Sequence, residues 1–122
     1  MILGVKIKNR ETGLFRLKDG RFSKNGKTYS TLAFAKTAVT NGTGWLSIDS
    51  KLLNCDFIIF NDDGKIEIIP VKNHIIDYFN RMLKDYEKTI NYYKVKNYDY
   101  DYLIKKINHI KQILNDLEKE GE

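Results

Sequence analysis

Residues 72–120 read KNHIIDYFNRMLKDYEKTINYYKVKNYDYDYLIKKINHIKQILNDLEKE. Ile75, Phe79, Met82, Tyr86, Ile90 and Tyr93 follow one another at steps of three and four, and Ile76 and Leu83 widen the stripe. After a break at 95–99, Leu103, Ile107, Ile110, Leu114 and Leu117 repeat at steps of four and three. That is heptad spacing. It predicts two helices, about 73–94 and 99–119, with Asn73 as the first N-cap and Asp99 and Asp101 at the anion-favouring start of the second. Helices of this length are each roughly 30 Å long. A short connector obliges them to run antiparallel. Asp77 to Arg81 and Asp101 to Lys105 stand in the favourable order for i,i+4 pairs. Two helices alone leave apolar surface uncovered. The hairpin is therefore expected to pack on a sheet, on a partner or on a second copy, and a homodimer through the hairpin is one expectation.

Upstream the period changes. Leu3, Val5 and Ile7 alternate with Gly4, Lys6 and Lys8, as in a strand with one buried face. Asn9–Gly13 is turn chemistry, Phe15 and Leu17 alternate with Arg16 and Lys18, and Asp19-Gly20 is a hairpin signal. A third short segment around 21–23 leads to a turn over 24–27. This alternation places the aliphatic side chains inward and most of Lys6, Lys8, Arg16 and Lys18 on a solvated face. Residues 30–41 read as a short helix, with Ser30 as cap, Leu32, Ala35 and Val39 on one stripe, and Asn41-Gly42 as the stop. Residues 56–60 and 65–70 are β-branched runs around Asn61-Asp62-Asp63-Gly64, a hairpin closed by Pro70. The expected fold class is α+β. A small antiparallel β-sheet with one short helix would occupy a basic domain over 1–71, and a long C-terminal antiparallel helical hairpin would occupy 72–122.

The 122 residues contain no apolar run near the ~20 needed to span a bilayer. The alternating N-terminus is not a signal-peptide core, so export is not expected. The single cysteine, Cys55, excludes an internal disulfide and a multi-thiolate zinc site. A reducing, cytoplasmic setting follows. The net charge of +5 is unevenly spread. Residues 1–48 hold nine cations against two anions, a net +7, and the remainder is −2. The asymmetry points to a polyanion or an acidic protein surface as partner. Solubility accounts for such a charge equally well.

Catalysis near neutral pH needs a positioned base, nucleophile or metal. His74 and His109 lie on separate predicted helices without metal-ligand spacing. His74 reads as a first-turn surface residue and Cys55 as a small core residue. Asp62 and Asp63 read as turn residues. No phosphate-binding glycine loop, dinucleotide fingerprint or Ser-His-Asp arrangement is present. A protein without enzymatic activity and without a cofactor or metal is expected.

Two surfaces remain as candidates. Lys6, Lys8, Arg10, Arg16, Lys18, Arg21, Lys24 and Lys27 are interleaved with Phe15, Phe22 and Tyr29, a composition that can neutralise phosphates and stack bases. Tyr92, Tyr93, Lys94, Lys96, Tyr98, Tyr100 and Tyr102 crowd the hairpin connector, where tyrosine offers contact area at small entropic cost. Trp45, in a glycine-flanked loop, is a further candidate anchor, although a core role is the plainer one.

The opening residues Lys6-Ile7-Lys8-Asn9, Thr12-Gly13-Leu14-Phe15 and Phe22 to Leu32 carry a resemblance. The pattern is a basic strand, Asn-x-x-Thr-Gly-Leu-Phe, a variable loop, then Ser/Thr-Lys-x-Gly-Lys-x-aromatic-x-Ser/Thr-Leu. Over about a third of its length, the chain resembles small, mostly uncharacterised phage and prophage accessory proteins. That resemblance implies action in a bacterial host cytoplasm, with no activity to carry over. Small phage proteins without catalytic residues often block a host factor by binding it, as anti-CRISPR and other anti-defence proteins do. The basic charge argues against DNA mimicry. The leading expectation is therefore a non-catalytic phage-encoded inhibitor that contacts a host protein or nucleoprotein complex. The alternative is a nucleic-acid-binding accessory or regulatory protein using the basic sheet face, and a third is an oligomeric assembly protein.

Overall fold

The computed structural model describes residues 1–41 and 50–120. Trp45 and the expected helix stop at Gly42 lie outside the described residues. The elements are strands β1 (Ile2–Asn9), β2 (Phe15–Arg16) and β3 (Phe22–Ser23), helix α1 (Leu32–Asn41), a 3₁₀ turn (Ser50–Asn54), strands β4 (Cys55–Asn61) and β5 (Ile66–Pro70), and helices α2 (Val71–Lys96) and α3 (Asp101–Glu120). The fold is α+β, an antiparallel sheet with one short helix followed by a long helical hairpin. The chain divides into two units, Met1–Ile75 and Ile76–Glu122.

In the first unit the strand order is β3-β2-β1-β4-β5, so the long β1 and β4 lie inside and β5 is an edge. Directly paired residues share a face. Val5 faces Ile59, and Ile7 faces Phe57, which in turn faces Ile69. Of these, Val5, Ile7, Phe57 and Ile59 are buried, as are Ala35 and Val39 of α1 and Val71 and Ile75 at the start of α2. Burying each large aliphatic side chain contributes roughly 1.5–3 kcal/mol, enough for this layer to hold the unit together. His74 belongs to the same layer. It is 7% exposed, its Nε2 donates to the Lys36 carbonyl (3.2 Å), and its ring meets Phe57 edge-on at 6.1 Å. The expected surface histidine is thus a core residue, because the helix starts against the sheet. Cys55 is a core residue as its sequence context suggests, with its Sγ donating to the Lys51 carbonyl (3.2 Å).

Two helix starts differ from expectation. Thr31, not Ser30, caps α1, its Oγ1 accepting from Phe34 N at 3.2 Å. Helix α2 begins at Val71 directly after Pro70, which leaves Asn73 inside the first turn and not at the cap. Strand β5 runs into α2 without a loop; proline holds its predecessor extended and cannot donate to the sheet, so the change of structure falls there.

In the second unit Leu103, Ile107, Ile110 and Leu117 of α3 are buried, as heptad spacing requires, and Phe79 of α2 is buried. The connector is built from local hydrogen bonds. Tyr98 N donates to Tyr93 O (2.9 Å) and Asn97 N to Lys94 O (3.3 Å), with Asn97 left-handed at φ 58°. This is a Schellman motif with asparagine in the place usually taken by glycine. Asp99 Oδ1 then accepts from Asp101 N (3.0 Å), and the Tyr100 carbonyl accepts from Leu103 and Ile104. The second helix therefore starts at Asp101, two residues later than expected. Arg81 Nε reaches the Asp77 main-chain carbonyl (3.4 Å), not the Asp77 carboxylate that the i,i+4 spacing suggested.

Candidate functional site

The β1–β2 register decides where the cations go. Lys8 lies opposite Phe15, so Phe15 shares a face with Lys6 and Lys8. The Lys6 Nζ lies 5.0 Å and the Lys8 Nζ 5.8 Å from the Phe15 ring centroid. Arg16 consequently projects to the opposite face, the side that α1 covers, and is only 7% exposed. The alternation is the reverse of that expected for β2: the aromatic residue joins the lysines and the arginine turns inward.

On that side lies a cavity of about 660 Å³, between the 24–30 segment, strand β2 and helix α1. Its wall includes Arg16, Lys18, Lys27, Tyr29, Phe34 and Thr37, with no carboxylate among the described residues that line it. Arg16 Nε and Tyr29 Oη are buried without a hydrogen-bond partner among the described residues. Buried polar groups of this kind are uncommon and ask for a compensating group. Phe34 is 62% exposed at the cavity margin.

Local structure holds this wall in place. Lys27 N donates to Arg16 O (2.9 Å), and Gly26 N donates to Ser23 Oγ (2.9 Å). Gly26 takes φ 65°, and a Cβ there would collide with Phe15 Cβ. Tyr29 exchanges both main-chain hydrogen bonds with Val5 at 2.8 Å, anchoring the segment to β1.

The other expected cations are not equivalent. Arg10 makes a two-pronged bond to Asp56 (2.6 and 3.1 Å). The hydrogen bonds to Asp56, and then its charge, raise the Arg10 pKa. Arg21 Nε bonds Asp19 Oδ2 at 2.7 Å. The main-chain hydrogen bond from Arg21, then its side-chain bond, lower the Asp19 pKa. Both arginines are internally paired and contribute less free charge than their number suggests. Lys24 is exposed and forms part of neither grouping.

At the hairpin end, Tyr92, Tyr98 and Tyr102 are 54%, 54% and 51% exposed. The Tyr93 ring meets Tyr98 edge-on at 5.6 Å, and Tyr92 meets Tyr98 at 6.4 Å. The hydroxyls of Tyr93 and Tyr102 lie 3.4 Å apart, and that contact, followed by the Tyr102 charge, raises the Tyr93 pKa. Lys94 sits 5.7 Å from the Tyr100 ring and Lys96 6.0 Å from that of Tyr92. All seven residues expected at the tip are brought to one end of the hairpin.

Among the described residues no three His, Cys, Asp or Glu side chains gather as a metal-ligand set. Asp63 Oδ1 accepts from Lys65 N (2.9 Å), which is turn chemistry. No helix among the described residues is long and apolar enough to cross a membrane. The chain matches no protein-family model, no curated protein and no solved structure. Phe34 and Thr37 were not legible in the sequence as candidate site residues. The available signal was that Phe34 falls off the Leu32–Ala35–Val39 stripe, which leaves an aromatic ring on the polar side of a short helix.

Proposed function

We propose that this is a non-catalytic binding protein, encoded by a phage or prophage, that seats the tyrosine end of its helical hairpin on a protein of the host cytoplasm and blocks a defence factor there. The observation that carries this reading is the half-exposed cluster of Tyr92, Tyr98 and Tyr102 on a hydrogen-bonded connector. Rings already locked against one another lose little freedom on docking, and tyrosines of this kind supply interface anchors. The lysines over the rings favour an acidic target surface.

The test is affinity capture from bacterial cells carrying an active defence system, with wild-type protein and with the Tyr92→Ala/Tyr98→Ala pair. One host protein should be held stoichiometrically by the wild type and lost by the pair, and defence should recover with it. Equal capture by both proteins would move the interface elsewhere. Light scattering on the same samples reads self-association, the third reading, through the half-buried Met82, Leu83 and Ile90 of α2.

A second reading is favoured by Lys6 and Lys8 flanking Phe15 on the other sheet face. Cations around an aromatic ring are the components of a single-strand platform. Under this reading Lys6→Gln/Lys8→Gln removes oligonucleotide binding at low salt, and wild type that binds no oligonucleotide at low salt eliminates it.

A further inference from the structure

We propose that the cavity between β2, the 24–30 segment and α1 binds a nucleotide-sized phosphorylated ligand, with the phosphate held by Arg16, Lys18 and Lys27 and the ring portion against Tyr29 and Phe34. The site lies on the opposite sheet face from Lys6 and Lys8 and is independent of the hairpin tip.

Charge gives the first argument. Arg16 is 93% removed from solvent and makes no ion pair among the described residues, whereas Arg10 and Arg21 each have a carboxylate. A buried guanidinium without a counter-charge is costly to maintain unless an anion compensates it. Lys18 and Lys27 line the same wall, and no acidic side chain among the described residues lines it to supply that anion. The guanidinium fork matches phosphate geometry, and the two ammonium groups add point charges.

Size and lining give the second argument. A cavity of about 660 Å³ is far larger than one phosphate and falls within the range of small-molecule sites. Its remaining wall pairs Tyr29 and Phe34 with the hydroxyl-bearing residues Thr28, Ser30 and Thr37. An exposed aromatic face beside hydroxyls suits a planar ring carried on a sugar. Tyr29 Oη, buried and without a partner, is a second orphaned group in the same wall. A phosphate group and a base joined by ribose answer both halves of this lining. Such a ligand has two sources, a free nucleotide or the terminal nucleotide of a strand.

The test is NMR titration of the full chain at low salt with inorganic phosphate, adenosine, adenosine 5′-monophosphate, and a short oligonucleotide with and without a 5′-phosphate. The monophosphate should shift the amides of Arg16, Lys27, Tyr29 and Phe34, and adenosine should bind at least about tenfold more weakly. Arg16→Gln should weaken the monophosphate by roughly tenfold or more, and Arg16→Lys by less, because it keeps charge and loses the fork. Phe34→Ala, at a position 62% exposed, should weaken the monophosphate while leaving inorganic phosphate unchanged. Tighter binding of the 5′-phosphorylated strand identifies the strand end as ligand, and tighter binding of the mononucleotide identifies the free form. Absence of shifts around the cavity with the monophosphate in large excess overturns the proposal, as does wild-type affinity in both Arg16→Gln and Phe34→Ala. Lys6→Gln/Lys8→Gln should leave these shifts intact, so failure of the sheet-face reading is separately visible.

Discussion

Asp19 accepts two hydrogen bonds from Arg21, one from its main-chain N–H at 3.0 Å and one from Nε at 2.7 Å. Both favour the carboxylate, so its pKa lies below the usual value near 3.8. A group lowered in this way contributes stability above its unfolded pKa and loses it as pH falls through the folded one. The Asp19 carboxyl carbon should therefore titrate by NMR below the usual aspartate midpoint. Arg21→Gln should raise that midpoint only part of the way, because the main-chain bond survives. At Gly26 the constraint is steric and conformational together. With φ at 65° and Phe15 Cβ in the way, Gly26→Ala should destabilise the protein by about 1–3 kcal/mol, read as a lower urea midpoint at unchanged slope. Glycine at this position was legible as turn chemistry. The collision that forbids a side chain was not, since it depends on the turn folding back on β2.

At the scale of elements, the two helices and the β4–β5 hairpin were legible because each is written in local spacing. Leu103, Ile107, Ile110 and Leu117 bury the stripe that their spacing marks. The helix ends were less legible. Asn73 and Ser30 both have capping side chains, and neither caps, because Pro70 and Thr31 place the changes of backbone elsewhere. Asn97 is the joint of the hairpin. Its left-handed backbone costs an alanine roughly 1 kcal/mol more than asparagine or glycine. Asn97→Ala should lower stability by about that amount and Asn97→Gly should preserve or raise it, measured by thermal unfolding at matched concentration. Strand β2 was the element read inside out. Two residues are too few for periodicity to choose a face, and the Lys8–Phe15 pairing makes the choice instead.

For the whole molecule the charge partition has a measurable consequence. Residues 1–75 carry twelve cations and seven anions, and residues 76–122 carry nine of each. Any polyanion binding should therefore reside in the first unit. With oligothymidylate as probe, each of Lys6→Gln and Lys8→Gln should reduce the slope of log affinity against log salt by up to about 1. Lys84→Gln and Lys88→Gln, in the hairpin, should leave it unchanged. An equal effect from the hairpin variants would show that net charge, and not the sheet face, drives the binding.

The α+β class, the count of long elements, the tyrosines of the connector and the excess of cations at the N-terminal end are properties of spacing and composition, and neighbouring residues suffice to specify them. Which of those cations remain free is a different matter. Asp56 is 46 residues from Arg10, and the pairing that turns Arg16 inward joins β1 to β2. The exposed aromatic of α1 lines the same cavity as Arg16 only because both reach the same side of the sheet. Contacts over such separations are chosen by strand register and by the burial of a common core, and so only the folded chain gathers the cavity.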